Sequence, residues 1–188
     1  RHEETPLWHD TLAIRLWHTA VLPLVHATGL RQRQARALVA YVNGLDAEIT
    51  ALDDTQLRAQ ALALRSSLRR EGFTLALVAR VFAIVREAAH RVLGVRHYET
   101  QLMAGWWLLE GSLVEMATGE GKTFAATLPA LTAALAGLPV HVITVNDYLA
   151  SRDAQNLAPL YEYFGLSVNA VVNGISKTQR RQAYAGDV

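Results

Sequence analysis

The run Met116-Ala117-Thr118-Gly119-Glu120-Gly121-Lys122-Thr123 limits what this 188-residue chain can fold into more than any other feature. Two glycines one residue apart, followed by Lys and Thr, fall where a short β-rich run, Ser112 to Met116, gives way to a segment with helical spacing. Glycines let a backbone curl so that successive N–H groups face one point, and a helix start adds the positive end of its dipole there. Such a nest holds anionic phosphates. Lys122 would reach the β- and γ-phosphates as a point charge, and the Thr123 hydroxyl would ligate Mg²⁺ beside them. The expected nucleotide contacts are therefore Thr118, Gly119, Glu120, Gly121, Lys122 and Thr123. Lys122 and Thr123 carry the catalytic role, Thr123 the metal, and the cofactors are ATP or ADP with Mg²⁺. At ordinary residue frequencies, such a spacing arises by chance in a chain of this length on the order of a few times in a thousand. The first Gly of the usual GxxxxGKT pattern is replaced by Met116, as in helicase-like motors.

The flanking pattern sets the expected fold class. Three β-rich runs, Ser112 to Met116, Val140 to Val145 and Ser167 to Val172, alternate with segments of helical spacing. That alternation predicts an α/β fold, part of a P-loop (RecA- or DEAD-like) parallel sheet built from βαβ units, preceded by an all-helical N-terminal segment. The first intervening helix is expected from Lys122 to about Ala136 with a kink at Pro129. The second lies between Asp147 and Phe164, with Pro159 restarting or bending it. Asp147 is placed to cap that second helix; the alternative, a Walker-B strand ending in Asp147, is disfavoured because Thr144 and Asn146 interrupt the apolar run. Arg152 and Asp153 fit either a structural ion pair or a solvated face.

Upstream, Trp8 to Val25 reads as a helix without a single apolar face, better suited to packing on protein than on a membrane surface. Sharper signals follow. Asp53 as N-cap, Gln56 three residues on, and Leu52 with Leu57 as a hydrophobic staple mark a helix start, and the helix runs to Gly72. Leu57, Ala61, Leu64 and Leu68 gather on one of its faces. A further helix from about Leu75 to Leu93 carries Val78, Val81, Phe82, Val85, Ala89 and Val92 as a stripe, with Arg80, Arg86, Glu87, His90 and Arg91 opposite and Gly94 ending it. The expected division is residues 1–30 as an N-terminal extension, 31–94 as a helical segment packed on the rest, and 95–188 as the first part of a nucleotide-binding domain.

Composition narrows the function classes. With 51% apolar and 19% charged residues the chain has the makeup of a folded globular protein. The absence of Cys removes disulfides and thiolate metal sites. A formal net charge of +1 supplies no field for gathering nucleic acid. No apolar run reaches the 18 or so residues that cross a bilayer.

Three stretches resemble the SecA preprotein translocase ATPase family: Val95-Arg96-His97-Tyr98-Glu99-Thr100-Gln101, Glu115 to Thr123, and the run from Val140 to Asp153, which contains Thr144-Val145-Asn146-Asp147-Tyr148-Leu149. The helix from Phe82 to Gly94 is also similar, so the likeness covers Gln32 to Val188. What it implies is the start of a DEAD-like motor's first nucleotide-binding domain, with Gln101 as the adenine-reading glutamine. An amide offers the donor and acceptor that match the N6/N7 edge of adenine, which favours ATP over GTP. Arg96 to Tyr98 would pack near the base, with Trp106 and Trp107 in the core beneath. The resemblance further implies a SecYEG-like translocon and unfolded preproteins as partners, peripheral contact with the cytoplasmic face of the bacterial inner membrane, no nucleic acid, and homodimer formation. Ala117 departs from the family, where Arg commonly stands. The family's Walker-B carboxylates and second motor domain lie beyond Val188, so hydrolysis by these residues alone is not expected. Two competing readings are a noncatalytic nucleotide-binding module and a DEAD-like nucleic-acid helicase, the latter opposed by the balanced charge.

Overall fold

The computed structural model describes residues 29–188. The extension at residues 1–30 falls almost wholly outside them, and so does the helix expected at Trp8 to Val25. The helices are α1 (Leu30–Gly44), α2 (Asp46–Thr50), α3 (Asp54–Glu71), α4 (Leu75–Leu93), α5 (Glu99–Leu109), α6 (Lys122–Ala125), α7 (Thr127–Leu135), α8 (Asp147–Tyr163) and α9 (Lys177–Ala183).

Helix α4 is the central post, packed against α1, α2, α3, α7 and α8. Its apolar residues explain the position: Val78, Val81, Phe82, Ile84, Val85, Ala88 and Ala89 are all fully buried. A helix apolar on most sides must be covered on most sides. It ends where expected, at Gly94 with φ +68, a left-handed cap that a residue without Cβ adopts cheaply. The α3 start also follows the sequence. Asp53 accepts from Gln56 N at 2.8 Å and Gln56 Oε1 accepts from Asp53 N at 3.0 Å, a complete capping box. Leu57, Ala61 and Leu68 of α3 are buried, and Leu64 packs against the same core.

Glu87, expected on the polar side of α4, is instead buried. Its carboxylate accepts from Arg91 Nε at 2.8 Å and Arg96 Nη1 at 3.3 Å, and the two guanidiniums replace the water it loses. The single helix expected from Lys122 to Ala136 is broken at Ala126 into α6 and α7. Pro129 has no N–H for the carbonyl four residues back, so the discontinuity falls one turn upstream of the ring. Pro159, by contrast, sits inside α8 without restarting it. The α8 cap is Asn146, whose Oδ1 accepts from Leu149 N at 2.9 Å, and not Asp147; Asp147 Oδ2 accepts from Asn173 N at 3.0 Å. Arg152 and Asp153 form the ion pair, at 2.6 Å.

The expected α/β class is not what forms. Among the described residues there is no strand and no sheet. The runs at 112–116, 140–145 and 167–172 are extended, but no ladder joins them. Val140 N donates to Asp187 O and Asn169 N to Val188 O, and Val188 N donates to Ser167 O, each at about 3 Å, so the second and third runs bond to residues 187–188, while Ser112 N of the first donates back to Trp107 O at 2.9 Å. Leu113, Ile143 and Val145 stand 102%, 93% and 92% exposed. β-propensity measures how a branched side chain fits a pleated, half-covered surface, and these side chains have no such surface beside them. The architecture described is a helical assembly around α4 with extended segments on its flank.

Candidate nucleotide-binding site

The residues singled out at Thr118–Thr123 form the turn that enters α6. Gly119 (φ +91) and Gly121 (φ +76) both occupy left-handed conformations, and Gly121 is the N-cap of α6. The chain thus folds here as the two glycines demand. The turn is closed on itself. Ala117 N donates to Glu120 Oε2 at 2.9 Å, Lys122 Nζ donates to Ala117 O at 3.0 Å, and Glu120 N donates to Ala117 O at 3.3 Å. Lys122 and Thr123 are exposed in the first turn of α6. The ammonium can therefore leave a neutral carbonyl for an anionic oxygen, a stronger charge-assisted partner.

Gln101, in the first turn of α5, is buried and lies against this turn. Its Oε1 accepts from Tyr98 N at 3.0 Å and its Nε2 donates to Glu120 O at 2.9 Å. An amide oxygen accepts two hydrogen bonds and an amide nitrogen donates two. One acceptor and one donor site on Gln101 remain uncommitted, the pair an adenine edge requires. Contact is close enough that a Cβ added to Gly121 would stand 2.6 Å from Gln101 Nε2.

Gln101, Gly119, Glu120 and Gly121 line one open cavity of about 710 Å³ with Arg96, Tyr98 and Phe124, closed on the far side by Asn156 and Leu157 of α8. Lys122 and Thr123 do not line it. They face a second depression of about 570 Å³, together with Asp147 and Asp153 and the extended runs. The turn thus separates the cavity beside Gln101 from the side on which Lys122 and Thr123 stand. These donors fit a nucleotide whose base meets Gln101 and whose phosphates follow the turn to Lys122. The exposed Thr123 hydroxyl would offer one oxygen to Mg²⁺, and no cluster of three or more His, Cys, Asp or Glu side chains that could hold a metal occurs among the described residues.

Residues 95–101 are fixed by groups that sequence reading passed over. Arg86 Nε donates to His97 O at 2.9 Å and Arg86 Nη1 to Asn43 Oδ1 at 2.8 Å. Arg96 pairs with Asp46 as well as with Glu87. Arg91 Nη1 meets Asp54 Oδ1 at 2.9 Å, and Tyr163 OH donates to the same oxygen at 2.9 Å, which ties the end of α8 to the start of α3. His97 is buried and stacks on Phe124. Burial pushes its pKa down to about 3, so the ring is neutral. The signal for its importance was its place within the 95–101 stretch, but spacing alone gave it no partner. Of the aromatic expectations, Trp106 is buried and Trp107 packs against the core, whereas Tyr98 is exposed on the rim of the cavity.

The structure thus brings together a turn with two left-handed glycines, the Lys and Thr that follow it, and a buried glutamine behind it. Comparison with known proteins supplies the family. Residues 24–188 match the family described as the SecA DEAD-like domain, and the chain belongs to that family. The match begins eight residues before Gln32. Similar proteins include the protein translocase subunit SecA of Acidithiobacillus ferrooxidans, 47% identical over 87% of this chain and 18% of its own length. The SecA subunit of Beijerinckia indica is 48% identical over 95% of the chain and 18% of its length. The protein translocase subunit SecA 2 of Bordetella avium is 47% identical over 93% of the chain and 27% of its length. The chain thus spans about a fifth of the length of most of these relatives.

Proposed function

We propose that this chain is the ATP-binding portion of a SecA-like ATPase that drives protein export through a membrane translocon. The observation that carries the reading is the bond from Gln101 Nε2 to Glu120 O, which joins a base-recognising amide to a turn built for phosphate. Gln101, with its free donor and acceptor, selects adenine; Thr118 to Gly121 follow the phosphates; Lys122 neutralises their charge; and Thr123 ligates Mg²⁺. Bound Mg²⁺ would supply charge neutralisation at the phosphate oxygens. Hydrolysis belongs to the whole protein, because in-line phosphoryl transfer to water needs charges on both sides of the γ-phosphate. The chain's exposed Lys122 and Thr123 provide one side. The partners proposed are a SecYEG-like translocon and unfolded preproteins, met at the cytoplasmic face of the bacterial inner membrane. No helix among the described residues is long and apolar enough to span a membrane.

Calorimetric titration of the chain with Mg-ADP, in parallel with Lys122→Ala, tests the reading. Binding by the wild type that is lost in the variant is the expected result. Absence of binding in both, or equal binding in both, would overturn it. Lys122 is exposed and bonded only to a backbone carbonyl, so its removal leaves the fold in place.

A further inference from the structure

We propose that His97 is a positioning residue that ties the base-reading turn at residues 95–101 to the helix leaving the phosphate turn, so that the two ends of a nucleotide are held in one register. The proposal rests on the nucleotide-binding reading above and adds to it the part that sets base position against phosphate position.

The His97 ring lies flat on Phe124, with centroids 3.8 Å apart and planes 7° from parallel. Nε2 is 3.1 Å from Phe124 O and 3.0 Å from Thr127 Oγ1. The Thr127 hydroxyl donates its own proton to Phe124 O at 2.7 Å. Both atoms facing Nε2 can therefore only accept, and the ring carries its proton on Nε2 and shares it between them. Nδ1 is then left as a bare acceptor, and it is buried with no partner. An unmet buried acceptor is destabilising, and a phenyl ring of the same shape would avoid it. What imidazole adds over phenyl at this position is the Nε2–H donor. That donor reaches the backbone immediately after Thr123.

The placement of the contact gives it a role. Gln101 holds the turn from its upstream side, at Glu120 O, and His97 holds α6 and α7 from the downstream side, at Phe124 and Thr127. Gly121, Lys122 and Thr123 lie between the two tethers. With only one tether the base-reading segment can pivot about it. With both, the distance from the Gln101 amide to Lys122 is set before a ligand arrives, which is the condition for both ends of a nucleotide to bind without further ordering cost. Residues 95–101 are in turn held by Arg86 at His97 O, so the tether has a fixed base.

His97→Phe keeps the flat ring and removes the N–H; His97→Gln restores an N–H donor without the ring. Calorimetric affinities would be measured for Mg-ADP, for Mg-GDP and for pyrophosphate, which engages the phosphate end alone. His97→Phe is expected to weaken Mg-ADP about fivefold to tenfold, the worth of one hydrogen bond to a buried acceptor. Pyrophosphate should stay within about twofold, and the preference for ADP over GDP should shrink by the same factor as ADP binding. His97→Gln should recover most of the loss. A general loss of structure would weaken ADP and pyrophosphate together, and that result overturns the proposal, as does ADP affinity in His97→Phe within about twofold of wild type. Should Phe at 97 prevent folding, Thr127→Val removes one of the two acceptors and is expected to move ADP affinity alone, about twofold to threefold; no change there also overturns it. If the wild type binds neither ADP nor pyrophosphate, the nucleotide reading itself falls. If it binds both and the variants change nothing, the tether alone fails.

Discussion

Replacing Gly121 by alanine should be among the most damaging single-methyl additions to this chain, and the structure gives the reason in parts. Gly121 has φ +76, where an L-residue costs about 1–2 kcal/mol. The added Cβ would lie 2.6 Å from Gln101 Nε2 and 3.9 Å from Phe124 Cβ. The second distance is ordinary contact; the first is not, so Gln101 must move. Its amide is buried and bonded to Glu120 O, and swinging it away gives up that bond, worth about 1 kcal/mol net. The sum is about 2–3 kcal/mol. Gly119 is the built-in control: at φ +91 its added Cβ meets nothing within 4 Å, so Gly119→Ala should cost the backbone strain alone, about 1–2 kcal/mol. Urea denaturation of the single variants and of Gly121→Ala in a Gln101→Ala background would close the cycle. Removing Gln101 removes the collision, so Gly121→Ala should cost about 1 kcal/mol less there than in the wild type. Equal cost for Gly119→Ala and Gly121→Ala, or no coupling to Gln101, would refute the reasoning.

Further outcomes follow from the charged and buried groups. His97 is held near pKa 3 by burial, so as pH falls below 6.5 the unfolded chain takes up a proton that the folded one refuses. The His97 contribution to stability is complete above pH 6.5 and falls by about 1.4 kcal/mol per unit toward pH 3, a slope that urea titrations should find in the wild type and not in His97→Phe. Asp54 is held below the usual carboxylate range, first by its hydrogen bond with Arg91 and then by that with Tyr163. Its contribution is present above about pH 4 and is lost as pH drops through its folded value, so Asp54→Asn should flatten the acid limb of the same titration. Glu120→Ala frees Ala117 N and removes a negative charge from the phosphate turn, and calorimetry should show Mg-ADP binding tightened about threefold.

What could be read from sequence was local. The α3 capping box needs only Asp53 to Gln56, and the Gly94 cap needs one residue without Cβ after an apolar stripe, so both formed as expected. The curl of the backbone at Gly119 and Gly121 was legible for the same reason, and both take left-handed conformations. The errors involve partners far away in the chain. Val140 to Val145 has the composition of a strand, but a strand exists only beside another, and Ile143 and Val145 face solvent. Glu87 looked solvated because nothing near it in sequence announced Arg96 as its second partner. Asn146 displaced Asp147 as the α8 cap because either side chain can cap, and the Asp147 carboxylate found Asn173 N instead.

The same distant pairings decide how the site is held. Arg86 and Glu87 are neighbours on α4, and they fix residues 96 and 97 from one helix turn: Arg86 grips His97 O, and Glu87 grips Arg96. At the other end of the phosphate turn's helices, Arg65 Nε donates to Leu135 O at 3.1 Å and Arg69 Nε to Ala136 O at 2.8 Å. Two guanidiniums of α3 thus satisfy carbonyls at the C-terminus of α7, where the helix dipole favours positive charge. Helices α3 and α4 therefore brace the chain on both sides of the turn at 117–121, α4 at residues 96 and 97 and α3 at the far end of α7. A displacement of either helix relative to the other would change the spacing between Gln101 and Lys122 without touching a ligand. Residues 96 and 97, a few positions before Gln101, and the C-terminus of α7 are thus held by charged side chains of α3 and α4, so these helices set the frame on which the turn at 117–121 is built.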